Sequence, residues 1–481
     1  MFKNLVGLLT LAALAYAPYV QIEQLEQSRV LGNGRLAAFL SSGDRQVALR
    51  AALAIGRTKQ PAGLSLLERR AGDRDPAMRA IAVYGIGLIG GSDAAGPVLR
   101  ALNDTPGAVL VAALDATIRL ESAHSFNPAQ AGRALARVTA LQSSPDEIVR
   151  ARAATTLSSF TQTASSRAAA MALSRAFARE KSAFVRWHIM WSLYRGYASE
   201  APRTTLLAGL RDRDEVVRIE AVRAFGRRDD RRDASVLAPL MGDASWRVQE
   251  QTRESLAVLT GGKMTEHLGA IPSGVHTPAP IADALASIRA LPRTAASGKP
   301  APPDFQAVDT RANIEPGTIA GITGPGKGPH PRARIVTTAG NIYLTLYPEW
   351  APLTVENFFN LANEGYYDNN PWFRIVPDFV VQSGDPSADA PGPGYTIPAE
   401  ENPIEQDSYC ISMGLDYTNG PNAHAKRDSA ASEFYITLSP QLHLNSDFTV
   451  FGRVTSGFDV LGRLVESDKI LRVERLPDSL K

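Results

Sequence analysis

Between Trp372 and Asp385 stand an arginine, Arg374, and a glutamine, Gln382, with the apolar pair Phe379 and Val380 between them. Side chains of an extended segment alternate between its two faces, so residues an even number apart share a side if no bulge intervenes. Arg374 and Gln382 meet that condition. A guanidinium and an amide beside apolar surface can hold an uncharged polar ligand through donated hydrogen bonds, without a nucleophile or a metal. Other reactive residues are sparse. Cys410 is the sole cysteine, which excludes intramolecular disulfides, cysteine-based zinc sites and dithiol redox chemistry. His330, His424 and His443 lack metal-ligand spacing. Asp416, His424 and Ser429 have the composition of a hydrolase triad, but no G-x-S-x-G or strand–turn–helix context surrounds them. Asn419-Gly420 reads as a turn, and Trp187, Trp246 and Trp350 as core or rim residues. No metal and no cofactor is expected.

The elements that must position these residues change character along the chain. From about 30 to 260, Val47-Ala48-Leu49-Arg50, Pro76-Ala77-Met78-Arg79, Glu147-Ile148-Val149-Arg150, Ala183-Phe184-Val185-Arg186 and Glu215-Val216-Val217-Arg218 repeat one pattern. A polar turn, often with Asp, precedes each, and an alanine-rich helix follows. Weaker copies begin near Ala108 and Arg247. The intervals, about 30 to 40 residues, are those of two-helix solenoid units. In one unit Ser199 is placed to cap a helix presenting Leu206, Leu207 and Leu210, and a second helix aligns Val217, Ala221 and Ala224. Neither helix can bury its apolar face alone, so the units must stack, six or seven of them. The Asp-turn, Val-Arg and spaced alanines resemble HEAT repeats, which implies a scaffold or partner-binding surface.

Residues 261–331 are rich in proline and glycine and read as a linker, with a short helix near Pro280 to Ala290. After Arg332 strands are expected. A hairpin turns at Ala339-Gly340, Thr354 to Ala362 forms a helix, and β-rich runs occupy 371–385, 408–413, 433–438 and 448–455, with a closing strand at Ile470 to Leu476.

At 481 residues two or three domains are expected. A formal charge of +2 with interleaved acids and bases gives no general pull toward nucleic acid. Lys3 precedes a short apolar run, Leu5 to Ala17, with Ala13-Leu14-Ala15 suited to signal peptidase. Residues 1–17 are therefore expected to be a cleaved signal, against an uncleaved anchor or a buried first helix. The protein is expected to be exported to a bacterial periplasm or cell envelope, touching membrane only if that segment is retained.

The string Trp372-Phe373-Arg374-Ile375-Val376-Pro377-Asp378-Phe379-Val380-Val381-Gln382-Ser383-Gly384-Asp385 resembles the cyclophilin signature F-x-R-x-x-x-x-F-x-x-Q-x-G-D. Pro352 to Phe358, Ser412-Met413-Gly414, Ser432 to Ile436 and Phe448 to Val454 match further blocks of that family in order. The resemblance implies a multidomain chain. An all-α HEAT-like solenoid (30–260) would precede a closed eight-stranded antiparallel barrel with two capping helices (332–476). It implies a peptidyl-prolyl cis-trans isomerase acting on proline-containing polypeptides, a folding factor whose solenoid holds a protein partner or client. Arg374 would be the catalytic donor. Phe379, Val380, Tyr435 and Leu444 would line a proline pocket, and Gln382 would contact the substrate backbone, with Gly414, Leu415, Glu433, His443 and Phe448 around them. Glu433 stands where the family usually has glutamine, His443 where many members have tryptophan, Phe448 where many have histidine and Leu415 where asparagine is common. The 415–431 loop is long. These departures keep a second reading open, a non-catalytic adaptor that binds proline peptides, and a third makes envelope assembly on the solenoid the main task.

Overall fold

In the computed structural model the described residues are 18–161, 163–228, 230–260, 330–376, 379–387, 390, 392–417, 425–445 and 447–477. The expected signal, the linker helix, His424 and the Asn419-Gly420 turn lie outside them. The chain forms two compact units. Residues up to Gly85 and from Arg293 onward belong to one, and Ile86–Pro292 form the other.

The helical pairs of Ile86–Pro292 show why the repeats look as they do. Helix Glu147–Leu157 starts at Asp146, whose carboxylate accepts from the Ile148 and Val149 amides, and Asp214 does the same for Glu215–Arg227. Such caps satisfy amides that have no partner inside the helix. The arginine that ends each repeated segment then reaches forward. Arg150 forks onto Glu180 at 2.9 and 3.2 Å, Arg186 onto Asp212 at 2.7 and 2.8 Å, and Arg218 onto Asp243 at 2.9 and 2.8 Å. Each also donates back to a carbonyl of its own turn, for example Arg218 to Asp212 at 2.9 Å. Val-Arg is thus a stacking device: valine enters the core and arginine ties one turn to the next. In the unit at 199–227 the first helix is Arg203–Gly209 and Pro202 occupies its N-cap, so Ser199 is not the cap. Leu206, Leu210, Val217, Ala221, Ala224 and Phe225 are buried.

The other unit begins with helical residues 18–27, then the pair Arg35–Leu40 and Arg45–Thr58, then Leu64–Arg70 and the start of Pro76–Ile89. It continues with eight strands: β1 (Arg332–Thr337), β2 (Gly340–Leu346), β3 (Arg374–Val376), β4 (Val380–Ser383), β5 (Cys410–Met413), β6 (Phe434–Thr437), β7 (Val450–Ser456) and β8 (Ile470–Leu476). They form one antiparallel sheet in the order β3-β4-β6-β5-β7-β2-β1-β8. β1 alternates half-buried and buried residues, as a strand with one covered face must. The expectation of a closed barrel is corrected. The sheet is a half-barrel whose end strands β3 and β8 share no ladder among the described residues. The Pro371–Lys469 bridge and a Trp372 amide donating to Asp468 at 3.1 Å join the segments ahead of them. Proline at 371 has no amide to extend a ladder.

Helix Pro352–Asn363 buries Val355, Phe358, Phe359 and Leu361 against the sheet, and the second helix, Phe458–Leu461, is a single turn. The buried Glu400 carboxylate accepts from the Leu353 and Thr354 amides at 3.2 and 2.8 Å, so a distant acid caps the first helix.

Asp212 tests the stacking device. Burial works to raise its carboxyl, but the Arg186 hydrogen bond and neighbouring amide donors leave it below its ordinary value. That contribution is present above the unfolded carboxyl range and fades as pH falls through the folded value. Arg186→Ala should cost about 1.5–3 kcal/mol at pH 7. The cost should shrink at acid pH, measured by denaturant unfolding at both values.

Candidate active site: an arginine at the rim of an apolar pocket

The 371–385 run is two strands. Arg374 in β3 lies directly opposite Gln382 in β4, and Gln382 opposite Tyr435 in β6. The expectation that Arg374 and Gln382 share a face along one strand is therefore corrected: they share it as cross-strand partners, the closest pairing a sheet offers. Gly384 follows Gln382 with φ 113°, and a Cβ there would fall 2.4 Å from the Ser432 carbonyl. No other residue type allows that close pass.

Val380, Tyr435, Leu444 and Phe448 form one buried apolar cluster, with Phe379, Leu415 and Ala425 packed against it. Tyr435 and Phe448 meet edge to face at 5.7 Å. The exposed His443 ring stacks on Phe379 with centroids 5.7 Å apart and planes 15° apart, and the Arg374 guanidinium sits 5.3 Å from the centre of the same Phe379 ring. A cation held over an aromatic face in this way is attracted by the ring's quadrupole.

Arg374 is exposed, and its Nη1 donates to Gln382 Oε1 at 3.0 Å. Gln382 Nε2 donates onward to the Glu433 carboxylate. Glu433 therefore reaches Arg374 through Gln382, with no direct pair between them among the hydrogen bonds of the site. Gly414 makes the room: its amide donates to the Glu433 carbonyl at 2.8 Å, and a Cβ on it would fall 2.5 Å from a Glu433 carboxylate oxygen. Burial pushes Glu433 up to about 7, and the charges of Asp385 and Asp416 push the same way. The Gln382 hydrogen bond and the Arg374 charge oppose them.

All the expected site residues thus converge on one face of the half-barrel. Sequence reasoning missed Ala425, an unremarkable alanine far from the motif blocks, and the two aspartates that bear on Glu433. Asp416 and Ser429 do turn work, the Asp416 amide donating to Ser429 Oγ at 2.9 Å. His330 bonds Glu349 at 2.9 Å.

The site is thus an exposed arginine beside a buried cluster of aliphatic and aromatic side chains, on an antiparallel half-barrel. The comparisons name the class. The family described as cyclophilin type peptidyl-prolyl cis-trans isomerase/CLD matches residues 332–476, and HEAT repeats match 33–119. Peptidyl-prolyl cis-trans isomerase B of Bacillus subtilis is 42% identical over 145 residues, 29% of this chain and 95% of that protein. A peptidyl-prolyl cis-trans isomerase of Schizosaccharomyces pombe is 41% identical over 132 residues, 27% of this chain and 81% of that protein. A crystal structure of a cyclophilin type isomerase of Cryptosporidium parvum covers 31% of this chain and 99% of its own, at 24% identity and a TM-score of 0.28, too low to add weight. The chain belongs to the cyclophilin-type peptidyl-prolyl isomerase family, and it carries HEAT repeats ahead of that domain.

The raised Glu433 value carries a stability consequence. Its folded value exceeds the ordinary 4.5, so its neutral form is favoured by folding, and stability is lost as pH rises from 4.5 through about 7. Glu433→Gln should therefore raise Tm by about 2–4 °C at pH 8.5 and leave it nearly unchanged at pH 4.5. Thermal unfolding at the two values checks this.

Proposed function

We propose that the site is a working prolyl isomerase with Arg374 as its catalytic donor. The observation that carries this is the exposed Arg374 guanidinium at the lip of the Val380–Tyr435–Leu444–Phe448 cluster. Rotation about an X–Pro bond is opposed by amide resonance, a barrier of about 18–20 kcal/mol. The pocket takes the proline ring, and contact with that ring anchors the residue while the preceding carbonyl turns. In the twisted state the nitrogen is pyramidal and basic, so a guanidinium hydrogen bond to it is stronger there than in the planar ground state. That difference lowers the barrier without bond cleavage. Phe379 and Gln382 hold Arg374 from two directions, which limits the rotamer freedom lost when substrate arrives.

A second reading has a specific observation behind it. Both ends of the Gln382 amide are occupied, Oε1 by Arg374 and Nε2 by Glu433. A substrate backbone must displace one of them or be held elsewhere, and a barrel that binds without turnover would follow if it cannot. Arg374→Ala in the full chain separates the two. As an isomerase, the wild type turns over an Ala-Pro peptide and the variant loses about 100-fold in kcat/KM. As an adaptor, the wild type binds the peptide without turnover.

The HEAT repeats are a protein-interaction scaffold, and we assign them the holding of a partner or unfolded client beside the isomerase, in a chaperone-like role. The apolar run after Lys3 supports export to the periplasm or envelope with removal of residues 1–17. Mass spectrometry of the protein from its native host should find a mature N-terminus between Tyr16 and Pro18; an intact Met1 would exclude cleavage.

A further inference from the structure

We propose that the first helices of the chain are a positioning part of the isomerase, gripping an arm made of residues 415–417 and 425–431 that walls the proline pocket. Residues 18–85 and the half-barrel lie in one compact unit, and the contacts between them are charged, buried and specific. Arg57, wholly buried at the C-terminal end of helix Arg45–Thr58, donates to the Glu401 carbonyl at 2.8 Å, to Trp350 at 2.6 Å and to Glu400 at 3.3 Å. Its remaining contact is the buried Glu26 at 2.9 Å, from the helical residues 18–27. The carbonyl of Arg57 in turn accepts from two arginines, Arg29 at 3.0 Å and Arg427 at 3.0 Å. Cations are favoured at the carbonyl end of a helix.

Those two arginines lead to the pocket. Arg29 pairs with Asp428 at 2.5 Å and donates to the Ala399 carbonyl at 2.9 Å, while Asp428 accepts the Ala399 amide at 2.7 Å. Arg427 forks onto Glu401 at 2.6 and 3.0 Å, and Lys59 reaches the same carboxylate at 3.0 Å. Asp428 has φ 64°, a left-handed conformation that aspartate tolerates better than most residues. Next to this grip the Lys426 amide donates to the Asp416 carbonyl at 2.7 Å, and Ala425 bridges Tyr417. Ala425 and Leu415 are the arm residues packed against Val380, Tyr435, Leu444 and Phe448. On its other side Ala430 bridges Ile397. The arm is thus held where the helices hold it, two or three residues from the pocket wall.

The kinetic half of this inference rests on the isomerase reading; the structural half does not. The test uses the full chain with Arg29→Ala, Arg29→Lys and Asp428→Asn, reading amide exchange at Ala399 and Lys426 together with kcat and KM for an Ala-Pro peptide. Arg29→Ala and Asp428→Asn should speed exchange at both amides by about tenfold. They should raise KM by about fivefold with kcat within about twofold, and Arg29→Lys should restore most of both. Wild-type exchange and KM in the folded Arg29→Ala chain would overturn the proposal, as would faster exchange with unchanged KM. If the wild type shows no turnover, the isomerase reading fails, and peptide affinity in place of KM then decides this one.

Discussion

A charged group taken wholly out of water must find partners for nearly all its hydrogen-bonding capacity, and Arg57 is where this chain meets that constraint. Its guanidinium is shut off from solvent and directs its donors to Glu26 and to carbonyls of Trp350, Glu400 and Glu401. Stranding such a charge by removing a partner typically costs about 3–5 kcal/mol. The geometry is therefore a strong selector: the segments at 350 and 400 can sit in only one place relative to helix Arg45–Thr58. Arginine suits this better than lysine, because its fixed planar fork reaches several acceptors at once. The neighbouring ions follow from that placement. Glu401 is buried with Arg427 and Lys59 upon it, and Glu26 is shared between Arg50 and Arg57.

At the pocket, a smaller network has the same logic. Gln382 faces an arginine on one side and a carboxylate on the other, and this fixes its amide with the oxygen toward Arg374 and the nitrogen toward Glu433. A glutamine in place of Glu433 could accept or donate; the ionised carboxylate only accepts, so in that form it reinforces the orientation Arg374 sets. The departure from the family's usual residue thus helps order the amide that holds the Arg374 guanidinium. The same carboxylate brings a buried negative charge near Asp385 and Asp416, whose repulsion it can relieve by taking a proton.

How much of this was legible depended on whether its cause is local. The Val-Arg repeats were visible because each capping turn and each alanine stripe lies within a few residues, although the partner of Arg150, Arg186 or Arg218 is 25 to 30 residues away and could not be read. Of the signature residues, Arg374 pairs across the sheet with Gln382 and lies over the Phe379 ring. The run reads as one stretch in the sequence, whereas β3 and β4 are two paired strands. Tyr435 and Phe448 were named only through their blocks, and Leu444 only through the family resemblance. The grip of Arg29 and Arg57 spans up to 399 residues of sequence; nothing in composition or spacing marks those two arginines among the many in the helical repeats. The open sheet escaped as well, because the pairing of end strands far apart in sequence has no local signal.

Two adjacent glutamates show how placement alone sets chemistry. Burial raises Glu400, and the nearby Arg57 charge and the Thr354 donors do not fully offset it. Burial acts on Glu401 too, yet the Arg427 hydrogen bond and the Lys59 charge overcome it and hold its carboxyl down to about 2. The signs of their linkage are opposite. Glu401 stabilises the fold above its unfolded value and loses that contribution as pH falls from 4.5 toward 2. Glu400 and Glu433 favour the fold when neutral and weaken it as pH rises past 4.5. The isomerase unit is thereby squeezed from both sides. Acid loosens the clasp between the first helices and the arm, while alkali charges the carboxylate under Gln382. The unit's most stable pH lies between those limits, where the clasp is ionised and the pocket acid still carries its proton.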